Sequence, residues 1–143
     1  MSWAHGVSCV VLLLYLVGWY FGTRGRRTPH VVLMSLGMIV DIVLTLVLEM
    51  ARGAVETAAS GATDFTGNRV LLLYVHVPLS LAVLLICYPG VVVLGIKTCR
   101  ATGPRYQSLR RTHRLWGLVT IALYTASLLT APRFVVDQLL GSS

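Results

Sequence analysis

Three histidines and one aspartate lie in or beside strongly apolar stretches of this chain, and they are the residues best suited to chemistry. His76 lies inside LLLYVHVPLSLAVLLICY (71–88), while His30 and His113 open two further apolar stretches. Neutral imidazoles are common ligands for haem iron and for zinc, copper or iron ions. Asp41 lies in the middle of an apolar stretch, and intramembrane acids usually face a cavity, a partner or a pathway.

The composition indicates what must position these residues. Hydrophobic residues make up 56% of the 143 residues and charged residues only 12%, with a mean hydropathy of +0.78; soluble chains average about 25% charged residues. Each apolar stretch is close to the ~20 residues that cross a bilayer as a helix. The sequence therefore predicts one all-α integral membrane domain over 1–143, a four-transmembrane-helix bundle with helices at about 6–22, 31–50, 70–96 and 115–131.

The cations are divided unequally between the predicted loops, which sets the orientation. Nine lie on one side and three on the other: Arg24, Arg26, Arg27, Lys97, Arg100, Arg105, Arg110, Arg111 and Arg114 against Arg52, Arg69 and Arg133. The positive-inside rule then predicts both termini outside and both basic loops in the cytoplasm. The same distribution explains the net charge of +7 without nucleic acid, since base-reading residues are sparse among the cations.

Helical periodicity groups the polar residues by face and by depth. Asp41 follows His30, and Tyr124 follows His113, by eleven residues, so each pair shares a face to within about 20°. His76 shares a face with Ser80. The sequence predicts an inner His30/His113 pair and a mid-membrane Asp41/Tyr124 pair. It also predicts an outer group of His76, Glu49 and His5.

Structural roles for these residues remain open alternatives. His30 and His113 could simply be interfacial helix starts, and His76 could hydrogen-bond to another helix and contribute only to packing. Asp41 could be bonded to Tyr124 or Thr120. The sequence contains no phosphate-binding glycine loop, no GxSxG and no HExxH, so hydrolytic or ATP-driven chemistry has no support, and whether the chain is an enzyme stays open.

The histidine-bearing segments resemble a known family. TPHVVLM, LLYVHVPLSLAV and RRTHRLWG, with LYTASL further on, are similar to segments of the CtaM/YozB-like four-helix bacterial membrane family, which is associated with cytochrome c oxidase assembly. The resemblance covers roughly residues 27–131 and points to His30, His76 and His113. The His-Arg-x-x-Gly run also resembles the helix start of cytochrome b561-like haem proteins.

Two functions therefore remain open from the sequence. The first is a haem- or metal-binding membrane protein of respiratory electron transfer or cytochrome oxidase biogenesis. In that reading His30, His113 and His76 bind haem, or a transition metal is held by His76, Glu49 and His5. The second is a non-catalytic helical subunit that stabilises a larger membrane assembly, such as a respiratory complex.

Overall fold

The protein is built from helices that pack side by side. The structure, a computed structural model, describes residues 3–52 and 67–139, with side chains described for 6–47 and 75–130. The helices are α1 (Trp3–Thr23), α2 (Arg27–Arg52), α3 (Gly67–Ala82), α4 (Tyr88–Arg100) and α5 (Gly103–Leu139). A π-helical turn, Val83–Cys87, joins α3 to α4 in one continuous helix. The all-helical prediction is confirmed for the described residues.

Three of these helical segments are long and apolar enough to cross a membrane: Gly6–Thr23, Arg27–Val47 and Val75–Arg100. Their outward faces carry exposed leucine, valine and isoleucine side chains, as lipid-facing surfaces do. These features are consistent with a membrane protein. The fourth apolar stretch, 115–131, ends outside the residues whose side chains are described, so its crossing stays a prediction.

The interior contains polar side chains as well as apolar ones. The buried cluster contains Tyr15, Tyr88 and Tyr124 together with aliphatic residues, and Thr120 and Ser127 are also buried. In lipid, apolar side chains gain little by leaving the surface, so helices associate through close packing and hydrogen bonds instead. The polar helix faces predicted from the sequence are the faces that meet here.

Two short breaks separate the helices at one end of the protein. Gly25, between α1 and α2, has φ of 74°, and Gly103, at the start of α5, has φ of 61°; glycine adopts this left-handed conformation without steric cost. Arg27 donates a hydrogen bond of 3.2 Å to the Tyr106 hydroxyl, which joins the two breaks. We call this region, residues 23–27 and 100–111, the basic end.

The helix through His76 changes its register at the π-helical turn. The Tyr88 N–H bonds to the Val83 carbonyl, five residues earlier, directly before Pro89, which has no N–H to donate. In a regular α-helix Tyr88 would lie about 120° from His76, because the two are twelve residues apart. One extra residue in the turn rotates Tyr88 back by about 100°. The π-helical turn therefore brings Tyr88 to the inner face.

Gly37 is a close-approach position, which allows a stability prediction. A Cβ added at Gly37 would lie 2.7 Å from Cε1 of Tyr15, and Tyr15 is only 1% exposed. We expect Gly37→Ala to lower the free energy of unfolding by about 1–3 kcal/mol, through overpacking. Gly6→Ala is the matched control, because nothing lies within 4 Å of its added Cβ. Denaturation in detergent followed by circular dichroism measures both variants, and equal stabilities would contradict the packing.

Candidate functional site

His30 of α2 and His113 of α5 meet near the basic end. Their ring centroids are 6.1 Å apart and the ring planes are nearly perpendicular, at 87°. Both side chains are partly buried. The structure therefore brings together the two histidines that the sequence pattern places on facing stripes at one depth.

The His30 ring is held in place by α1. Its Nδ1 donates a hydrogen bond of 2.8 Å to the Gly18 carbonyl, which fixes the tautomer and leaves Nε2 as the nitrogen with a free lone pair. A Cβ at Gly22 would lie 2.8 Å from the same Nδ1, so only glycine leaves room for the ring. Histidine ligands of metals almost always have this kind of carbonyl partner on the second nitrogen.

The His113 ring packs against α4. A Cβ at Gly95 would lie 3.4 Å from its Cε1, and its Nδ1 is buried without a hydrogen bond of ordinary geometry to the described residues. His113 precedes the fourth apolar stretch. Burial lowers the pKa of its imidazole, His30 adds to that effect and the Val91 carbonyl opposes it. The balance favours the neutral ring, which is the form that binds metals.

Asp41 lies in a second polar group, deeper among the helices. Tyr88 donates a hydrogen bond of 2.6 Å to Asp41 Oδ2, and Tyr15 donates one of 2.7 Å to the Tyr88 hydroxyl. The Tyr124 hydroxyl donates a hydrogen bond of 3.2 Å to the Ser8 carbonyl and also interacts with the Asp41 carboxyl. The sequence prediction paired Asp41 with Tyr124, and the structure adds Tyr88 as its closer partner.

The sequence reasoning missed Tyr15 and Tyr88. Tyr15 packs edge-on against Tyr124, with centroids 5.2 Å apart, and against Tyr88 at 6.3 Å. The sequence did carry a signal for them. Each of two apolar helices has a tyrosine near its middle, and a buried tyrosine hydroxyl needs a hydrogen-bond partner. Thr120, the other partner considered for Asp41, bonds instead to the Trp116 carbonyl of its own helix.

His76 joins α3 to α5. Its Nδ1 lies 3.0 Å from the Ser127 carbonyl and 3.2 Å from the Thr130 hydroxyl, and Ser80 lies 3.4 Å from its Nε2. Ser80 and Ser127 also bond to each other at 2.8 Å. His76 therefore faces the interior, as the sequence predicts, and these contacts connect α3 with α5.

The predicted outer metal site is only partly within the described residues. The side chains of His5 and Glu49 lie outside them, so their approach to His76 stays a prediction. Within residues 6–47 and 75–130, no three histidine, cysteine, aspartate or glutamate side chains lie close enough together to hold a metal ion. The histidine pair and His76 are accordingly separate positions, each with its own surroundings.

Comparison with protein-family models, curated proteins and solved structures gives no match to this chain.

Proposed function

We propose that this chain is a haem-binding integral membrane protein in which His30 and His113 would hold the haem iron. The observation that carries the proposal is the distance of 6.1 Å between their ring centroids. Imidazole nitrogens bond to metals at about 2.0–2.1 Å, so two rings this close together could both reach one iron.

The donor set favours haem over a bare metal ion. A protein site for a bare transition metal ion commonly uses three or four side-chain ligands, and within the described residues the histidine pair has no third partner of that kind. Haem supplies the equatorial nitrogens itself and needs only axial ligands from the protein. A transition metal held by the pair with solvent ligands is the alternative cofactor.

The chain's own groups prepare this site. The Gly18 carbonyl holds the His30 ring in one tautomer, with Nε2 available as a ligand. Burial keeps His113 in its neutral, ligating form. Gly22 and Gly95 leave space for the two rings. Haem would supply reversible one-electron chemistry, and the residues around it would set its orientation and exclude water.

The wider role we propose is respiratory electron transfer or cytochrome oxidase biogenesis in a bacterial inner membrane. The similarity of the three histidine segments to the CtaM/YozB-like family supports this role. A respiratory complex or another membrane subunit would then be the partner. Protein purified from membranes should carry haem, with a Soret band that is lost when either His30 or His113 is replaced.

A non-catalytic subunit is the second candidate. It is favoured by the contacts of His76, whose ring bonds to hydroxyl and carbonyl groups of a neighbouring helix. The Asp41 group is likewise satisfied by tyrosines. Polar contacts of this kind hold membrane helices together without any cofactor. A colourless, metal-free protein would favour this candidate.

The proposed topology has four transmembrane helices with the basic end in the cytoplasm and both termini outside. The nine-to-three division of Lys and Arg supports it, as does the Arg27–Tyr106 bond that joins the two basic segments.

Cys99 tests this topology, because it is exposed near the basic end while Cys87 is buried. A membrane-impermeant maleimide should label Cys99 in inside-out vesicles and leave it unlabelled in intact spheroplasts. Cys99→Ser is the control and should remove that labelling. Labelling of Cys99 only from the outer side would reverse the proposed orientation.

A further inference from the structure

A cavity of about 570 Å³ opens between α1 and α5 near the basic end. Trp19 of α1 forms one wall, and α5 supplies the rest of the lining, which consists of Tyr106, Gln107, Arg110, Arg111, Arg114, Leu115 and Leu118. Neither His30 nor His113 lines this cavity. It is therefore distinct from the proposed haem site.

The lining is ordered from polar to apolar along α5. Its polar and cationic residues occupy positions 106–114, and Leu115 and Leu118 follow with exposures of 63% and 52%. From Tyr106 to Leu118 the helix rises about 18 Å. The cavity thus has a charged end and an apolar end, as an amphiphile does.

The charged end of the cavity carries positive charge that no lining residue neutralises. Three arginines face it and none of the lining residues is acidic. Arg27 of α2 adds a fourth cation beside it, through its hydrogen bond and its stacking on the Tyr106 ring, 5.8 Å from the centroid. Arginine binds phosphate through paired N–H groups.

We propose that this cavity binds an anionic phospholipid of the cytoplasmic leaflet. Arg110, Arg111 and Arg114 receive the headgroup phosphates, and Leu115, Leu118 and Trp19 contact the start of an acyl chain. Basic pockets at the cytoplasmic ends of transmembrane helices bind such headgroups, and an aromatic ring is favourable at that depth. This inference rests on the proposed membrane orientation and is independent of haem binding.

Native mass spectrometry of the full-length protein in detergent tests the proposal. Phosphatidylglycerol and phosphatidylcholine with identical acyl chains are titrated separately. We expect phosphatidylglycerol to bind at least about tenfold more tightly, because each nearby cation adds to the attraction. Replacing Arg110, Arg111 and Arg114 together by glutamine should remove most of that preference.

The matched control replaces Lys97, Arg100 and Arg105 by glutamine, since these cations lie in or next to the basic end and do not line the cavity. This control should keep the lipid preference. Equal loss in both triple variants would show diffuse surface attraction and overturn the proposal. Equal binding of phosphatidylcholine, or displacement by equimolar inorganic phosphate, would also overturn it.

A second measurement covers the case in which the triple variant misfolds. Brominated phosphatidylglycerol should quench the tryptophan fluorescence of the unmodified protein more than brominated phosphatidylcholine does, since Trp19 forms a wall of the cavity. Trp19→Phe should abolish the difference between the two lipids. Equal quenching in the unmodified protein would contradict the proposed site.

Discussion

Replacing either His30 or His113 by alanine is expected to reduce bound haem at least tenfold while the protein still inserts and folds. Outer-shell partners of metal ligands alone typically contribute about 10–100-fold in affinity, so an axial ligand should contribute no less. The two rings are 6.1 Å apart and belong to different helices. Loss of one ring would leave a single histidine to hold the iron. Haem content per purified chain, from the pyridine haemochrome spectrum, measures the effect.

Two further variants separate ligation from packing. His30→Gln can still donate to the Gly18 carbonyl, which His30 contacts at 2.8 Å, but an amide is a poor haem ligand. It should therefore lose haem while the haem-free protein keeps its thermal stability. His76→Ala should leave the haem at the histidine pair unchanged, because His76 contacts Ser127 and Thr130 instead. Full haem occupancy in His30→Gln would show that His30 only packs.

The second large effect is expected at Tyr88. Its hydroxyl donates to Asp41 and accepts from Tyr15, so Tyr88→Phe removes two interhelical hydrogen bonds. Such bonds in membrane proteins average about 0.6 and reach about 1.7 kcal/mol, and an unsatisfied partner adds to the cost. We expect the free energy of unfolding to fall by about 1–3 kcal/mol. Titration with a denaturing detergent, followed by circular dichroism, gives the value.

Two other tyrosine-to-phenylalanine variants give stability changes with which that result can be compared. Tyr15→Phe removes only the bond to Tyr88 and should cost about half as much. Tyr20 is exposed, and Tyr20→Phe should change stability by less than about 0.5 kcal/mol. Similar losses in Tyr88→Phe and Tyr20→Phe would contradict the buried network around Asp41.

The sequence predicted well those features that depend on helical periodicity. Each of the four apolar stretches lies inside an observed helical segment. These helices could be predicted because the sequence itself shows the 3.6-residue helical repeat and an apolar length close to the thickness of a bilayer. The meeting of His30 with His113 follows from the same arithmetic. Periodicity also identified the inner face that carries Asp41.

Features that depend on local geometry were not predictable in the same way. α5 begins at Gly103, well before the apolar stretch at 115–131. This start was not predicted, because a cationic helical segment gives no apolar signal. The π-helical turn between Pro78 and Pro89 shifts the register by one residue, which regular helical periodicity does not anticipate. Tyr88, the nearer partner of Asp41, directly follows this turn and was not among the predicted site residues.

The most direct test of the proposed function is the visible spectrum of the intact protein, purified in mild detergent from haem-replete bacterial membranes. The proposal predicts a Soret band in proportion to the protein, shifting on reduction as bis-histidine haem does and disappearing in His113→Ala. A colourless protein that also fails to bind added haem would contradict it, and the histidine pair would then be a packing contact between α2 and α5.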